Sequence, residues 1–332
     1  MNIAIVILNW NGATLLERFL PSIVAYSKSA QIYVADNGST DHSKEVIDQL
    51  FPEVRWISLD KNYGFVGYNK ALEGLKEDLF CLLNSDVEVT QAWLDPIKYL
   101  FETNPEIAIA QPKILDYSQK TKFEYAGAAG GYIDRFAYPY CRGRLFQQLE
   151  EDHGQYDDTK QVFWATGACM FVRSSVFKKL GGFDQSYFAH QEEIDLCWRA
   201  NNQGYKVFYI GSSQVYHLGG STLSNMNPKK TFLNFRNSLF NILKNLPLPQ
   251  ALVIIVLRLI LDGMAGIVFL FQGKIKHTLA ILKAHVSFYY YARSIRKKKS
   301  KILKPIRYFS HTSIVFSFFI LGKEKFSDLG KL

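Results

Sequence analysis

Residues 79–89 read LFCLLNSDVEV, an apolar run that ends on Asn84, Ser85 and Asp86 before apolar residues resume. The five apolar residues 79–83 are typical of a strand buried on both faces of a sheet. A carboxylate at the end of such a strand is costly unless a partner binds it. Asp86 therefore either accepts hydrogen bonds from a turn, the common role of this residue type, or binds a ligand.

Apolar strands and amphipathic helices alternate before and after this stretch. The strand patterns are IAIVIL (3–8), QIYVAD (31–36), VRWISL (54–59) and LFCLL (79–83), and helical patterns begin at Ala13, at Asp41, near Val66 and at Gln91. This βαβα series predicts an α/β fold with a mostly parallel sheet and flanking helices. Ligands of such sheets collect at the carboxyl ends of the strands.

The four predicted strand ends all carry polar, small or acidic residues. They are residues 9–12 (NWNG), 36–41 (DNGSTD), 60–64 (DKNYG) and 84–86 (NSD). Because the ends of parallel strands meet at one rim of a sheet, these residues predict a single functional site there.

Size and composition allow one large α/β domain with an appendage, since the chain has 332 residues, 48% hydrophobic and 15% aromatic. The four cysteines, Cys81, Cys141, Cys169 and Cys197, lack disulfide or metal-ligand spacing, which indicates a reducing compartment. The opening MNIAIVILNW has no basic start or cleavage site, so we expect a first strand and no secretion.

Charge divides the chain into two predicted domains, residues 1–228 and residues 229–332. The first carries 20 Lys and Arg against 27 Asp and Glu, and the second carries 19 against 3. The 21 residues 251–271 are apolar except for Arg258 and Asp262, and residues 293–307 are strongly basic. This pattern predicts membrane-associating helices.

Three arrangements of this C-terminal region are open. In-plane amphipathic helices are favoured, because a spanning helix with two charges near its centre is costly, and a soluble oligomerisation domain is the third. Arg258 and Asp262 are four residues apart, so they share a helical face and either pair or meet water. We expect a peripheral or integral protein on the cytoplasmic face of the inner membrane.

Residues 117–160 lack clear periodicity and are rich in Gly, Tyr, Asp and Arg, which predicts a long functional loop region. Its aromatic residues, together with Trp164, either form a sugar-stacking platform or pack in the core, the default for aromatic side chains. The residues are Tyr125, Phe136, Tyr138 and Tyr140.

Seven segments in register resemble the inverting glycosyltransferases of family 2, in the rhamnosyltransferase-like branch that builds bacterial surface polysaccharides. They are IVILNWNG (5–12), DNGSTD (36–41), NYGFVGYN (62–69), LLNSDV (82–87), WATGACMFVR (164–173), GGFDQSYFAHQEEIDLCWR (181–199) and VYHLGGS (215–221). The resemblance implies a GT-A fold, a nucleotide-sugar donor and a glycan or polyprenyl-linked acceptor. It does not extend to residues 230–332.

The resemblance also implies a divalent cation, Mg²⁺ or Mn²⁺, beside the donor diphosphate. Asp86 is the expected first ligand, and His217 stands where a histidine of the family completes the shell. A backbone-bonded histidine at a strand end is the alternative. The family often has an acidic residue where this chain has Asn84 or Ser85.

The nucleotide side is expected at the first strand ends. By resemblance, Asp36 bonds the uracil or thymine edge and Asn9 approaches the nucleoside. Asn62 and Asn69 fix the ribose or donor sugar. Helix capping and turn formation are the alternatives, and Asp41 is expected to cap the following helix. Ser85 is the remaining residue predicted to bind the nucleotide, beside Asn62 and Asn69.

Inversion by single displacement requires a general base for the acceptor hydroxyl. Glu192 and Glu193 open a helix where the family usually has a Glu-Asp pair, so either is the base, with Glu193 favoured. Trp164 and Asp184 are the predicted acceptor-binding residues, with a structural turn at 181–184 as the alternative for Asp184. Asp195 and Arg199 are four residues apart, so we expect them to form an ion pair on one helix face.

Other functions fit the sequence less well. A dinucleotide-dependent oxidoreductase needs a glycine-rich loop after the first strand, and NWNG offers one glycine. A nucleic-acid-binding protein would not interleave its basic residues with long aliphatic runs, so no nucleic-acid partner is expected. A non-catalytic nucleotide-binding relative and a membrane-bound scaffold remain alternatives. The sequence leaves the oligomeric state open.

Overall fold

The computed structural model describes residues 1–219, 227–303 and 306–330. Thirteen strands are described: β1 (Ile3–Asn9), β2 (Ala30–Asp36), β3 (Arg55–Ser58), β4 (Leu79–Asn84), β5 (Val87–Val89), β6 (Ile107–Asp116), β7 (Gly131–Ile133), β8 (Pro139–Cys141), β9 (Arg144–Leu145), β10 (Gln148–Leu149), β11 (Thr159–Val162), β12 (Cys169–Arg173) and β13 (Lys206–His217). The described helices are α1 (Ala13–Tyr26), α2 (Ser43–Leu50), α3 (Tyr68–Ala71), α4 (Leu94–Thr103), α5 (Ser174–Lys179), α6 (Glu192–Asn202), α7 (Pro228–Asn245), α8 (Leu248–Phe271), α9 (Ile275–Lys297) and α10 (Ile314–Phe319), with 3₁₀ turns at Gly64–Gly67 and Phe326–Leu329.

A nine-stranded sheet forms the centre of the fold, which confirms the predicted α/β class. Its strand order is β11-β13-β6-β12-β4-β1-β2-β3, with β5 paired to β13. The part from β4 to β3 is parallel, as the βαβ series predicts. Strand β12 runs antiparallel between β4 and β6, so the sheet is mixed beyond the first four strands.

The predicted helix starts are confirmed or shifted by a few residues. Helix α1 begins at Ala13 as expected. Helix α2 begins two residues after Asp41, whose carboxylate accepts hydrogen bonds from the backbone N–H groups of Ser43 at 3.2 Å and of Ala13 at 3.0 Å. The Asp41 carboxylate thus bonds the first N–H group of each helix, although the N-cap residue of α2 is His42.

Two helices are shorter than their patterns. Near Val66 the chain forms only a 3₁₀ turn and the single-turn α3. Helix α4 begins at Leu94 rather than at Gln91, because Ala92 takes a left-handed backbone angle, φ 57°, that a helix cannot include.

The segment 117–160, predicted as a loop, contains a small four-stranded antiparallel sheet in the order β10-β9-β8-β7. Strands of two or three residues are too short for a visible alternation of apolar and polar residues. Contacts from elsewhere stabilise them: Gly131 lies against the Trp164 ring so closely that a Cβ there would meet ring atoms at 2.0 Å.

The C-terminal helices share the hydrophobic core of the sheet. Buried side chains of α7 and α8, such as Phe240 and Ile254, belong to the same cluster as Val6 of β1 and Leu82 of β4. The core is thus continuous across residue 228, and the division into domains 1–228 and 229–332 stays a prediction.

Candidate active site

The pairing of β5 with β13 brings the predicted metal ligands together. His217 lies opposite Val87 in this antiparallel ladder, and the Leu218 N–H donates to the Asp86 carbonyl at 3.0 Å. The Nε2 atom of His217 is 3.1 Å from Oδ1 of Asp86, and both side chains are buried. Two residues far apart in sequence thus meet at the carboxyl end of β4.

Glu124 holds the other side of the imidazole, a role that the sequence analysis missed. Its Oε2 atom is 3.2 Å from Nδ1 of His217 and also accepts a hydrogen bond from the Ala126 N–H at 2.6 Å. Burial alone would lower the pKa of His217, but the charges of Glu124 and Asp86 outweigh it and raise that pKa to about 10.

This geometry fits a divalent cation. Oδ1 of Asp86 and Nε2 of His217 face each other, so a cation bound there would replace the proton between them, while Glu124 contacts the other ring nitrogen, as a carboxylate commonly does for a metal-binding histidine. Among the described residues no group of three His, Cys, Asp or Glu side chains is arranged to hold a metal ion. Asp86 and His217 could supply two ligands, and a cation held there would need further ligands from elsewhere, such as phosphate oxygens.

The predicted nucleoside residues Asn9 and Asp36 lie side by side. They are register partners in the β1–β2 ladder, and Nδ2 of Asn9 donates to Oδ1 of Asp36 at 3.3 Å and to Oγ of Ser39 at 3.2 Å. The Ser39 N–H donates to the other Asp36 oxygen at 3.1 Å. Oδ1 of Asn9 is buried without a hydrogen-bond donor in the described part of the chain, and it faces Gly12.

Ser85 lies near the same rim, since its Oγ is 3.8 Å from the point where a Cβ on Gly12 would stand. Asn62 and Asn69 both hydrogen-bond within turns. Oδ1 of Asn62 accepts from Nδ2 of Asn37 at 3.2 Å and from the Gly64 N–H at 2.7 Å.

Asn69 uses both ends of its amide on one residue. It accepts from the Phe183 N–H at 2.8 Å and donates to the Phe183 carbonyl at 2.7 Å. The side chain thus holds the turn at residues 181–184 in place, and these contacts favour the turn-forming alternative for Asn69.

The candidate bases open α6 after a strained segment. Phe188, His190 and Gln191 have positive φ angles of 66°, 67° and 73°, which non-glycine residues adopt at a cost. The segment is held by Asn237 of α7, whose Nδ2 lies 3.2, 3.0 and 2.8 Å from the carbonyl oxygens of Tyr187, Ala189 and His190. Asn237 is another residue that the sequence analysis missed.

Glu192 and Glu193 occupy different environments. Glu192 is 3% exposed, and among the described residues its Oε2 has no hydrogen-bond partner. Burial and the neighbouring charge of Glu193 raise the pKa of Glu192 well above its ordinary value. Glu193 is only partly buried, and burial raises its pKa to about 7. At neutral pH, Glu193 is therefore the more ionised of the two carboxylates.

Asp184 belongs to an ion-pair cluster that joins α6 to the C-terminal helices. Its carboxylate pairs with Lys244 at 2.9 Å and with Lys298 at 2.7 Å. Lys244 also pairs with Asp195, and Asp195 pairs with Arg199 at 2.7 Å, as predicted for that helix face. Burial opposes ionisation of Asp184, but Lys244 and Lys298 hold its pKa well below the usual range. These contacts favour the structural alternative for Asp184.

Trp164 lies in the core, 3% exposed, and its indole N–H donates to the Tyr132 carbonyl at 2.9 Å. Its ring packs on Gly131, so none of these contacts supports the predicted acceptor platform. Of the other aromatics in that prediction, Tyr140 is buried and Tyr125 lies half-buried beneath the Arg144 guanidinium, 4.5 Å from it.

Comparison with known proteins gives the family. The family model described as "Glycosyl transferase family 2" matches residues 4–181. A relative from Mycobacterium tuberculosis, N-acetylglucosaminyl-diphospho-decaprenol L-rhamnosyltransferase, is 28% identical over 229 residues, which cover 61% of this chain and 71% of the relative.

Solved structures share the fold. S. aureus TarS 1-349 in complex with UDP-GlcNAc has a TM-score of 0.57 at 12% identity, covering 89% of this chain and 88% of that chain. The mannosyltransferase PcManGT from Pyrobaculum calidifontis, in complex with GDP-Man and Mn²⁺, has a TM-score of 0.52 at 11% identity and covers 87% of both chains.

Proposed function

Because the chain belongs to glycosyltransferase family 2, we propose that it moves a sugar, with inversion, from a nucleotide-sugar donor to a hydroxyl of a lipid-linked or cell-surface glycan. The observation that carries the proposal is the buried Asp86–His217 pair beside a rim with an unsatisfied Asn9 oxygen. A cation site next to a nucleoside site suits a diphosphate leaving group.

We propose a UDP- or dTDP-sugar as donor, with dTDP-rhamnose the first candidate because the M. tuberculosis relative is named a rhamnosyltransferase. Asp36 and Asn9 would bind the edge of the base. In a uracil or thymine ring, an N–H group lies between two carbonyl oxygens. Oδ1 of Asn9 is a buried acceptor that could receive this N–H.

Asp86 and His217 would hold Mg²⁺ or Mn²⁺, and the cation would neutralise negative charge on the departing diphosphate. Glu124 would keep the His217 ring turned toward the cation. The solved structure with Mn²⁺ supports a divalent cation as a feature of this fold. The thermal-shift screen below compares Mg²⁺ with Mn²⁺.

Glu193 would accept the proton of the attacking acceptor hydroxyl. Its pKa of about 7 lets it be substantially ionised at neutral pH while remaining basic enough to take a proton.

The acceptor would be linked to a polyprenyl lipid, since the M. tuberculosis relative is named for a decaprenol-linked substrate. We therefore propose that the protein works at the cytoplasmic face of the inner membrane. Its four cysteines are buried and unpaired, which is compatible with a reducing compartment.

A thermal-shift screen tests the donor assignment. The purified protein is heated with UDP, dTDP, GDP and their sugars, each with and without Mg²⁺ or Mn²⁺. A ligand at a hundredfold excess over its Kd stabilises the folded state by about 2.7 kcal/mol. We expect uridine or thymidine ligands to raise the Tm only with the cation. The assignment would be contradicted if only GDP and GDP-sugars raised the Tm, or if no nucleotide raised it.

A further inference from the structure

The outer face of α8 is apolar along its whole length. The exposed side chains between residues 252 and 271 include no charged group, and Val253, Val256 and Ile260 are 60%, 60% and 58% exposed. Soluble proteins rarely expose a continuous apolar strip of this size to water. In the part of the chain that the structure describes, α8 is also the one helix long and apolar enough to cross a membrane, with a mean hydropathy of 2.4.

The two charges of α8 point toward the protein instead. Nε of Arg258 donates to Oδ1 of Asp262 at 3.0 Å, and both side chains are at most 1% exposed. The Tyr138 hydroxyl donates to Asp262 at 2.6 Å, and Arg258 donates to the Phe136 carbonyl at 3.0 Å. His285 of α9 lies 3.1 Å from the second Asp262 oxygen. Helix α8 is therefore attached sideways to the small sheet and to α9.

This attachment argues against a spanning helix. Crossing a bilayer would require the Arg258–Asp262 pair to leave Tyr138, Ser238 and His285, or would draw those polar partners into lipid. A helix that keeps its charged side on the protein and its apolar side outward can instead lie in the plane of the interface.

Helices α9 and α10 also expose apolar side chains, as the outer face of α8 does. On α9 an apolar stripe runs beside exposed lysines, with Leu282 59% and Val286 71% exposed next to Lys276 and Lys283. The helix ends in a basic run. On α10 and the residues after it, Phe316, Phe319, Ile320 and Leu321 are exposed.

We propose that the exposed faces of α8, α9 and α10 form one docking surface for an anionic lipid bilayer, on which α8 lies in plane. Charge complementarity identifies the occupant, because α9 and the residues just after it expose a row of basic side chains. They are Lys276, Lys283, Arg293, Lys297 and Lys299. The inference deepens the proposed function and rests on it for the lipid-linked acceptor.

The docking surface and the cation site flank the same small sheet. Phe146, just after β9, packs on Phe318 and Phe319 of α10 with ring centroids 4.8 and 4.9 Å apart. Arg144 of β9 stacks on Tyr125, the residue after Glu124. Contacts through the small sheet therefore connect the docking surface to the segment that carries Glu124.

Vesicle flotation of the full chain tests the surface. We expect binding to phosphatidylcholine vesicles that contain phosphatidylglycerol, and weaker binding without it. The double variant Val256→Glu, Ile260→Glu should bind about a hundredfold or more weakly, because each change removes apolar burial and adds a charge at the hydrocarbon boundary. The matched control is Leu50→Glu, Tyr99→Glu, which alters residues 56% and 70% exposed on α2 and α4 and should bind as wild type.

Depth measurements separate an in-plane helix from a spanning one. The four native cysteines are buried, so a fluorophore can be attached at Val253→Cys, Ile260→Cys or Val268→Cys on the outer face. Quenching by lipids labelled at known depths should give similar depths for all three positions. A spanning helix would spread them over about 22 Å at 1.5 Å per residue and would overturn the proposal.

Two further outcomes test the lipid assignment and separate it from the donor assignment. If the wild type ignores vesicles but sediments as a dimer that the Val256→Glu, Ile260→Glu variant dissociates, a second copy covers the face and the proposal is wrong. Nucleotide-dependent thermal shifts, measured on the same samples, keep the two proposals apart. Vesicle binding without any nucleotide shift would leave the docking surface standing and reject the donor assignment.

Discussion

Glu193→Gln should make the protein more stable at alkaline pH while it loses activity. Burial raises the pKa of Glu193 from 4.5 to about 7, so the folded state disfavours the ionised carboxylate. The unfolded chain ionises near the ordinary pKa, and each pKa unit is worth about 1.4 kcal/mol, so the penalty on folding reaches about 3 kcal/mol. It is absent below about pH 4, grows as the pH rises, and is complete above about pH 7.

Glutamine keeps the shape of the side chain and carries no charge, so it removes this penalty. We expect the free energy of unfolding of Glu193→Gln, measured by urea denaturation, to match that of the wild type at pH 4. At pH 8 it should exceed the wild-type value by about 2 to 3 kcal/mol. Turnover at saturating donor should fall by about 10²- to 10⁴-fold, because an amide cannot accept the proton of the acceptor.

Glu192→Gln is the internal control, since Glu192 is buried beside Glu193 and its pKa is also raised well above the ordinary value. It should also stabilise the protein at pH 8, yet keep most of the turnover. The reasoning is refuted if Glu193→Gln is no more stable than the wild type at pH 8. It is also refuted if Glu192→Gln is the crippled enzyme and Glu193→Gln turns over normally, in which case Glu192 is the base.

Four other variants address the rest of the site. Asp86→Ala should bind uridine or thymidine diphosphate no better with Mn²⁺ than without it in calorimetry, because it removes a cation ligand; a retained cation requirement would contradict this. Glu124→Gln should weaken Mn²⁺ binding by about 10- to 100-fold through the loosened His217 ring, and unchanged affinity would rule out that role. Asp184→Asn should lower the Tm at pH 7 by breaking the pairs with Lys244 and Lys298. Because the pKa of Asp184 is depressed, its contribution to stability is lost as the pH falls, and the Tm difference should shrink below about pH 4; a constant difference would contradict the ion-pair account. Asn237→Ala should lower the free energy of unfolding in urea by about 1 to 3 kcal/mol, because the carbonyl groups of the segment before Glu192 lose their amide donor. It should also lower kcat more than it changes KM for the donor. Loss of stability alone would make Asn237 purely structural.

Strands and strand ends could be predicted because their signals are local. Residues 3–8 and 79–83 are continuous apolar runs, and Asn9 and Asp36 follow directly from the parallel register of β1 and β2. The Arg258–Asp262 pair also follows from helical spacing. The sequence does not show that this pair faces the protein, because its partners Tyr138 and His285 lie in other elements.

The parts that escaped prediction depend on contacts between distant segments. Glu124 lies in a stretch without periodicity, and only the fold brings it behind His217. Asn69 stays a predicted nucleotide-site residue, and its hydrogen bonds to both backbone groups of Phe183, 114 residues away, could not be read from the sequence. Asp184 stands in a motif of the family, but Lys244 and Lys298 from the C-terminal helices occupy its carboxylate.

The most direct test of the account follows the anomeric centre during transfer. The donor identified by the thermal-shift screen is incubated with the protein, Mn²⁺ and a polyprenyl-linked glycan acceptor, and the product is analysed by proton NMR. The account predicts a new glycosidic bond whose anomeric configuration is opposite to that of the donor, formed by the wild type and not by Asp86→Ala. Retention of configuration, or equal transfer by Asp86→Ala, would contradict it.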